Sequence, residues 1–149
     1  MLTLANVGPD DYLIDLGSGD GRLVIAAVAK HKARGAAGIE IDPDLVKLAR
    51  DQAKKADVGD RVTFVAGDLF VADVERATVV TLYLLPGMLA KVEAKLAREL
   101  KPGTRVVSHD YPLPSWKPVE VITFDALEKI AITGLPRTVL WLYRVPERR

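Results

Sequence analysis

The apolar residues fall into short β-length runs separated by amphipathic stretches and polar turns. Tyr12 to Leu16 is apolar up to Asp15, as in a central parallel strand buried on both faces. Asp15-Leu16-Gly17-Ser18-Gly19-Asp20-Gly21 then makes a glycine turn, and Arg22 to about Lys32 reads as a helix too uniformly apolar for an exposed surface. Ahead of the strand, Leu2 to Val7 fits the last turn or two of a helix closed by Gly8-Pro9. Ala36 to Ile41 is a second strand. Asp42 and Pro43 then start a helix running to about Ala56, with Leu45, Leu48, Ala49, Gln52 and Ala56 as its inner stripe. Lys47, Arg50, Lys54 and Lys55 lie mostly opposite and read as a solvated face.

A third strand, Arg61 to Ala66, follows the Gly59-Asp60 turn, and Thr78 to Leu84, dense in β-branched residues, is a fourth. After Pro86-Gly87, the residues Leu89, Val92, Leu96 and Leu100 recur at helical spacing until Lys101-Pro102-Gly103 stops the helix. Arg105 to His109 is a fifth strand. A proline-rich loop, Asp110 to Trp116, leads without a long helix to two closing strands, Val119 to Phe124 and Thr138 to Val145. Five βα-like units and a closing pair predict a single α/β domain over residues 1–149. Its core is an open, mostly parallel seven-strand sheet with helices on both faces and a C-terminal antiparallel strand pair. Such sheets bind ligands beyond the carboxyl ends of the strands, where strand order reverses, so the strand-ending residues are the ones to inspect.

Composition narrows the classes of function. With 49% hydrophobic and 28% charged residues the chain is globular, and a net charge of +1 gives no bulk electrostatic reason to seek nucleic acid or an anionic membrane. There is no cysteine and there are two histidines, which removes disulfides and Cys/His metal clusters and points to a reducing cytoplasm; no metal is expected. The most apolar stretch, Ala77 to Leu85, is too short to span a bilayer, and the N-terminus has no signal-peptide pattern. A homo-oligomer is compatible with this composition and not required by it.

Three glycines on alternate residues let the backbone turn through positive φ and approach a ligand closely, and the amides opening the next helix suit an anionic group. An adenosine-containing cofactor is the first expectation. The dinucleotide fingerprint places its third glycine three residues after the second; here Arg22 holds that place and Gly21 falls one residue early. Asp15, inside the strand end, suits a cationic group, or else bonds the amides of its own loop. Glu40 ends strand two at the distance where an acid bonds ribose hydroxyls. Asp68 ends strand three, where its carboxylate can accept from an adenine amine while the Leu69 backbone reads the ring edge, unless it merely caps a helix. Ile41 is placed to pack on the adenine face or to fill core. Tyr83, near the end of strand four, lies beside the expected acceptor site or packs inside. Asp110, Tyr111 and Trp116 follow strand five, where a substrate enters; His31 and His109 read as structural.

The run Asp15 to Arg22, then Gly38-Ile39-Glu40, then Gly67-Asp68-Leu69-Phe70, resembles the class I S-adenosylmethionine (SAM) methyltransferases in order and spacing. More narrowly, Lys95 to Gly103, Val106-Val107-Ser108 and Pro112-Leu113-Pro114-Ser115-Trp116 resemble the small protein-lysine methyltransferases. That group includes archaeal broad-specificity enzymes and the mitochondrial enzymes acting on ATP synthase subunit c and the adenine nucleotide translocase. The resemblance implies a Rossmann-like fold, SAM as cofactor held by Asp15, Gly17, Ser18, Gly19, Glu40, Ile41, Asp68 and Leu69, and a protein substrate with an accessible lysine. Tyr83, Asp110 and Tyr111 would orient the acceptor. A small-molecule acceptor and a SAM-binding module without turnover stand as alternatives. Methyltransferases of adenine or glutamine amino groups place Asn/Asp-Pro-Pro-Tyr after strand four; this chain has Tyr83-Leu84-Leu85-Pro86, which speaks against that chemistry. Family members also carry a Tyr/Phe-Val-Pro-Thr/Ser-like segment ahead of the first strand. No such motif precedes Tyr12, so the resemblance implies a more open methyl-donor end.

Overall fold

The computed structural model describes residues 1–126, 130, 134 and 137–148. Its elements are β1 (Tyr12–Leu16), α1 (Arg22–Ala29), β2 (Gly35–Glu40), α2 (Pro43–Lys55), β3 (Val62–Ala66), β4 (Val79–Leu82), α3 (Leu89–Glu99), β5 (Arg105–His109), β6 (Glu120–Asp125) and β7 (Arg137–Arg144). The seven strands form one sheet in the order β3-β2-β1-β4-β5-β7-β6. Pairing is parallel from β3 across to β5, while β7 runs antiparallel to both β5 and β6. This is the predicted open sheet with its antiparallel closing pair. Strand order reverses between β1 and β4.

Period-two alternation along the inner strands splits the core in two. Leu13, Val79 and Val107 point to the face covered by α1 and α2. Ile14, Leu16, Val80, Leu82 and Val106 point to the face covered by α3, whose Leu89, Val92, Leu96 and Leu100 form the expected stripe. Burying a side chain of this size stabilises a fold by roughly 1.5–3 kcal/mol. At the amino edge, Asp11 accepts from Thr78 Oγ1 at 2.8 Å and pairs with Arg105, joining β1 to the starts of β4 and β5. Residues Met1 to Val7 make hydrogen-bonded turns that end at Asn6, with φ 54°, as expected of a closing helix turn.

Three expectations need correction. Among the described residues, of the five parallel strands only β1, β2 and β4 are followed by an α-helix. Between β3 and β4 the chain makes turns in which Asp68 and Asp73 accept from the Phe70 and Glu75 amides, local bonds that compete with helix formation. The inner stripe of α2 is Val46, Ala49 and Ala53, about one residue out of phase with the reading above, and Leu48 is 42% exposed. The reason is close packing. A Cβ added to Gly21 would stand 2.7 Å from the Phe64 ring and 2.8 Å from the Ala49 Cβ, so only small residues fit where α2 meets the glycine loop and β3. Arg50 is exposed, as read, and its guanidinium donates to the Phe64 carbonyl on edge strand β3 at 2.7 Å. Finally, β4 ends at Leu82, two residues early, which frees Tyr83 and Leu84 from the sheet.

Candidate active site

The glycine loop is built by left-handed backbone at Gly17, Gly19 and Gly21, with φ of 82°, 57° and 83°. It is tied to β2 through the Gly17 and Ser18 amides, which donate to the Ile39 carbonyl at 2.9 and 3.0 Å. Glu40 completes the tie. Its Oε1 accepts from the Gly19 amide at 2.9 Å and its Oε2 from the Asp42 amide at 3.0 Å, so one carboxylate fixes both the loop and the start of α2. Asp42 in turn caps α2 through the Asp44 amide, as its place before Pro43 predicts.

Asp15 lies at the strand-order reversal, buried, and accepts from Thr81 Oγ1 of β4 at 2.8 Å. Thr81, rather than the amides of the loop, is therefore its hydrogen-bond donor. Burial raises the Asp15 carboxyl from 3.8 to about 7, with the Thr81 bond opposing and the nearby Glu40 charge adding to the rise. A carboxyl so placed is held ready for a cationic partner.

A cleft of about 420 Å³ opens beside the loop, lined by Gly17, Glu40, Ile41, Asp68, Leu69 and Phe70 together with Leu84 and Met88. Six of the residues expected to hold cofactor thus converge: Gly17, Glu40, Ile41, Asp68 and Leu69 line the cleft, and Asp15 sits beneath the loop. Ile41 is 75% exposed, so it presents an apolar side chain to the cleft instead of filling core. Asp68 Oδ1 is turned back to the Phe70 amide.

Ser18 goes the other way. Its hydroxyl is buried with no hydrogen-bond partner among the described residues, pressed so close to β2 that a Cβ on Gly38 would lie 2.5 Å from it. Only its backbone serves the loop. Ser18→Ala is therefore expected to raise stability by roughly 1 kcal/mol, by removing an unsatisfied buried hydroxyl. Its affinity for S-adenosylhomocysteine should stay within about twofold of the parent. A fivefold loss in titration calorimetry would show that the hydroxyl reaches the ligand.

On the acceptor side, Tyr83 is 62% exposed and does not pack in the core; its ring lies against the His109 imidazole, centroids 4.2 Å apart. Asp110, at φ 68°, turns its carboxylate toward the Val139 amide (3.2 Å) and His109 Nδ1 (3.4 Å). Tyr111 is half exposed beside them, its carbonyl accepting from Ser108 Oγ at 2.6 Å. His109, which the sequence offered as structural, is thus the link between Tyr83 and Asp110. The signal for it was its place as the last residue of a strand that ends at the site.

A positive-φ glycine loop, an acid on the second strand end and a buried acid at the strand-order reversal define a class I SAM-dependent methyltransferase. Residues 15–120 match the model of the ANTKMT methyltransferase domain, and the chain belongs to that family. A protein-lysine N-methyltransferase of Saccharolobus islandicus is 43% identical over 125 residues, 84% of this chain and 78% of that one. The mouse adenine nucleotide translocase lysine N-methyltransferase is 43% identical over 77% of this chain, which spans 50% of its length. A Salinibacter ruber structure described as an RNA methyltransferase in complex with S-adenosyl-L-homocysteine superposes with a TM-score of 0.86 at 51% identity, covering 99% of this chain and 89% of its own. No helix among the described residues is long and apolar enough to cross a membrane.

Proposed function

We propose that this chain transfers the methyl group of SAM to a lysine side-chain amine of a protein, acting in the cytoplasm as a single domain. The observation that carries the reading is the convergence on one cleft of Gly17, Glu40, Ile41, Asp68 and Leu69, with Leu84, next in sequence to the Tyr83 that packs on His109, also in its lining. The identity with the lysine N-methyltransferase of Saccharolobus islandicus supports the acceptor class.

The residues fit the cofactor. Asp15, buried with its carboxyl raised to about 7, would match the ammonium of its amino-acid part, the loop amides its carboxylate, and the remaining lone pairs of Glu40 its ribose hydroxyls. Asp68 and Leu69, in the cleft lining, would hold the adenine edge and Ile41 its flat side. When bound, the cofactor supplies an electrophilic methyl group on a sulfonium sulfur that already carries the positive charge. The protein must therefore align the amine and keep water out. A lysine of ordinary pKa near ~10.4 arrives protonated. Burial against the Tyr83 and Tyr111 rings disfavours its charged form and promotes proton loss. Asp110, with its carboxylate 3.4 Å from His109 Nδ1, would act on that amine through His109.

A second reading, an RNA acceptor, is favoured by the description of the Salinibacter ruber relative. Against it, the cleft lining holds two acids, Glu40 and Asp68, and no lysine or arginine, and exposed Leu85 and Tyr83 follow β4 on the acceptor side. Phosphates are poorly received by such a surface. Tritium-labelled SAM incubated with a cell lysate, one portion treated with ribonuclease and one with protease, tests both. Label that survives ribonuclease and yields methyllysine on hydrolysis is expected. Label lost to ribonuclease would transfer the assignment to RNA.

A further inference from the structure

Two charged residues on α3 are buried, which the apolar stripe of that helix does not require. Lys95 is 3% exposed, and its Nζ donates to the Ala72 carbonyl at 2.6 Å and to both Glu99 oxygens at 2.8 and 2.9 Å. Ala72 belongs to the turns that carry Asp68, Leu69 and Phe70 into the cleft. Two residues earlier on the helix, Glu93 faces the loop after β5. Its Oε2 accepts from the Ser115 and Trp116 amides at 3.0 and 3.1 Å, and its Oε1 accepts from Ser115 Oγ. The same loop is held at Leu113, whose amide donates to the buried Tyr143 hydroxyl at 2.9 Å, and its Trp116 ring meets Tyr143 edge-on at 6.3 Å between centroids. Asp110, Tyr111 and Pro112 are thereby stretched between the end of β5 and a pinned anchor.

A buried carboxylate or ammonium is costly unless fully bonded, so two on one helix, on either side of its apolar stripe and each spent on a different loop, point to positioning. We infer that α3 is a clamp in which Lys95 positions the adenine-side loop and Glu93 positions the acceptor-side loop. The inference rests on the methyltransferase reading above, and it divides one helix into two separable tasks. Lys95 sets how tightly cofactor is held. Glu93 sets how productively an acceptor is presented, without touching it.

The test uses Lys95→Met, which keeps the apolar stem, Glu93→Ala, which releases the loop, and Glu93→Gln. A glutamine can accept from both amides with its oxygen and donate to Ser115 Oγ with its nitrogen, so it is the conservative rescue. With Trp141→Phe as common background, Trp116 is the only tryptophan left and reports the loop. Lys95→Met is expected to weaken S-adenosylhomocysteine about tenfold in calorimetry while acrylamide quenching of Trp116 stays within 20% of the parent, roughly the effect of losing one charge-assisted bond. Glu93→Ala is expected to double Trp116 quenching, keep the ligand affinity within about twofold, and lower methyl transfer to ribonuclease-treated lysate protein about tenfold at saturating SAM. Glu93→Gln should restore both readouts, and Lys95→Met should regain the parental rate at saturating SAM. Affinity and quenching moving together in each variant, or failing to move in either, would overturn the clamp. Neither of those two arms needs an acceptor. Absence of labelled protein with the parent would therefore count against the proposed activity and leave the clamp to be decided by them.

Discussion

Asp15→Asn is expected to bind S-adenosylhomocysteine roughly 10- to 150-fold more weakly, the effect of losing about 1.5–3 kcal/mol of charge-assisted bonding, and yet to melt higher than the parent when both are free of ligand at pH 8. The two halves have one cause. In the folded chain burial raises the carboxyl from 3.8 to about 7, so the folded state holds its proton more tightly than the unfolded state does. The sign follows directly: this contribution to stability is complete below about 3.8 and is lost as pH climbs through about 7. At pH 8 the parent carries a buried anion whose side-chain hydrogen-bond partner among the described residues is Thr81, and asparagine removes that charge while still accepting the Thr81 hydroxyl. Ligand binding has the opposite pH dependence, because an ammonium wants the ionised carboxyl. Between pH 6 and pH 8 the parental affinity should rise about tenfold, as the ionised fraction does around a pKa near 7, and the asparagine variant should show no such rise. A flat parental profile in calorimetry would remove Asp15 from the ligand's cationic end.

The second large effect concerns Gly21, where backbone and space are both restrictive. Gly21→Ala combines a side chain at φ 83° with contacts of 2.7 and 2.8 Å to Phe64 and Ala49. Left-handed backbone costs an L-residue roughly 1–2 kcal/mol, and overpacking adds roughly 1–3 kcal/mol. A loss of about 2–5 kcal/mol would lower the urea midpoint by roughly 1–2.5 M at a slope near 2 kcal/mol/M. Gly19 separates the two causes: its φ is 57°, but nothing lies within 4 Å of an added Cβ. Gly19→Ala should therefore lose only the conformational part. Equal midpoints for the two variants would show that the clash is relieved by movement of α2.

The sequence carried the strands and the cofactor side because those features are local. Three glycines at fixed spacing need positive φ wherever they sit, and an acid at the end of a short apolar run is read without knowing its neighbours. What it did not carry depends on neighbours far along the chain. The phase of α2 is set by the crowding of Gly21, Phe64 and Ala49, residues 15 to 43 positions apart, and counting leucines put the stripe about one residue out of phase. Helical periodicity on α3 identified its apolar stripe and passed over Glu93 and Lys95, whose partners lie in two loops distant in sequence. His109 gained its significance only when β4 proved to end early and left Tyr83 against it.

The central place of β1 also bears on how the chain is made. A ribosome delivers β1, β2 and β3 first, and they can pair as soon as they emerge, yet the other edge of β1 waits for β4. Asp15 and its partner Thr81 are 66 residues apart, a wait of roughly 3–13 s at about 5–20 residues per second. Through that interval the backbone groups along Leu13 to Leu16 stand open on an apolar strand, the kind of edge that recruits another chain. The strand that organises the finished sheet is thus the nascent chain's most exposed liability, and slow decoding between residues 66 and 79 would lengthen it.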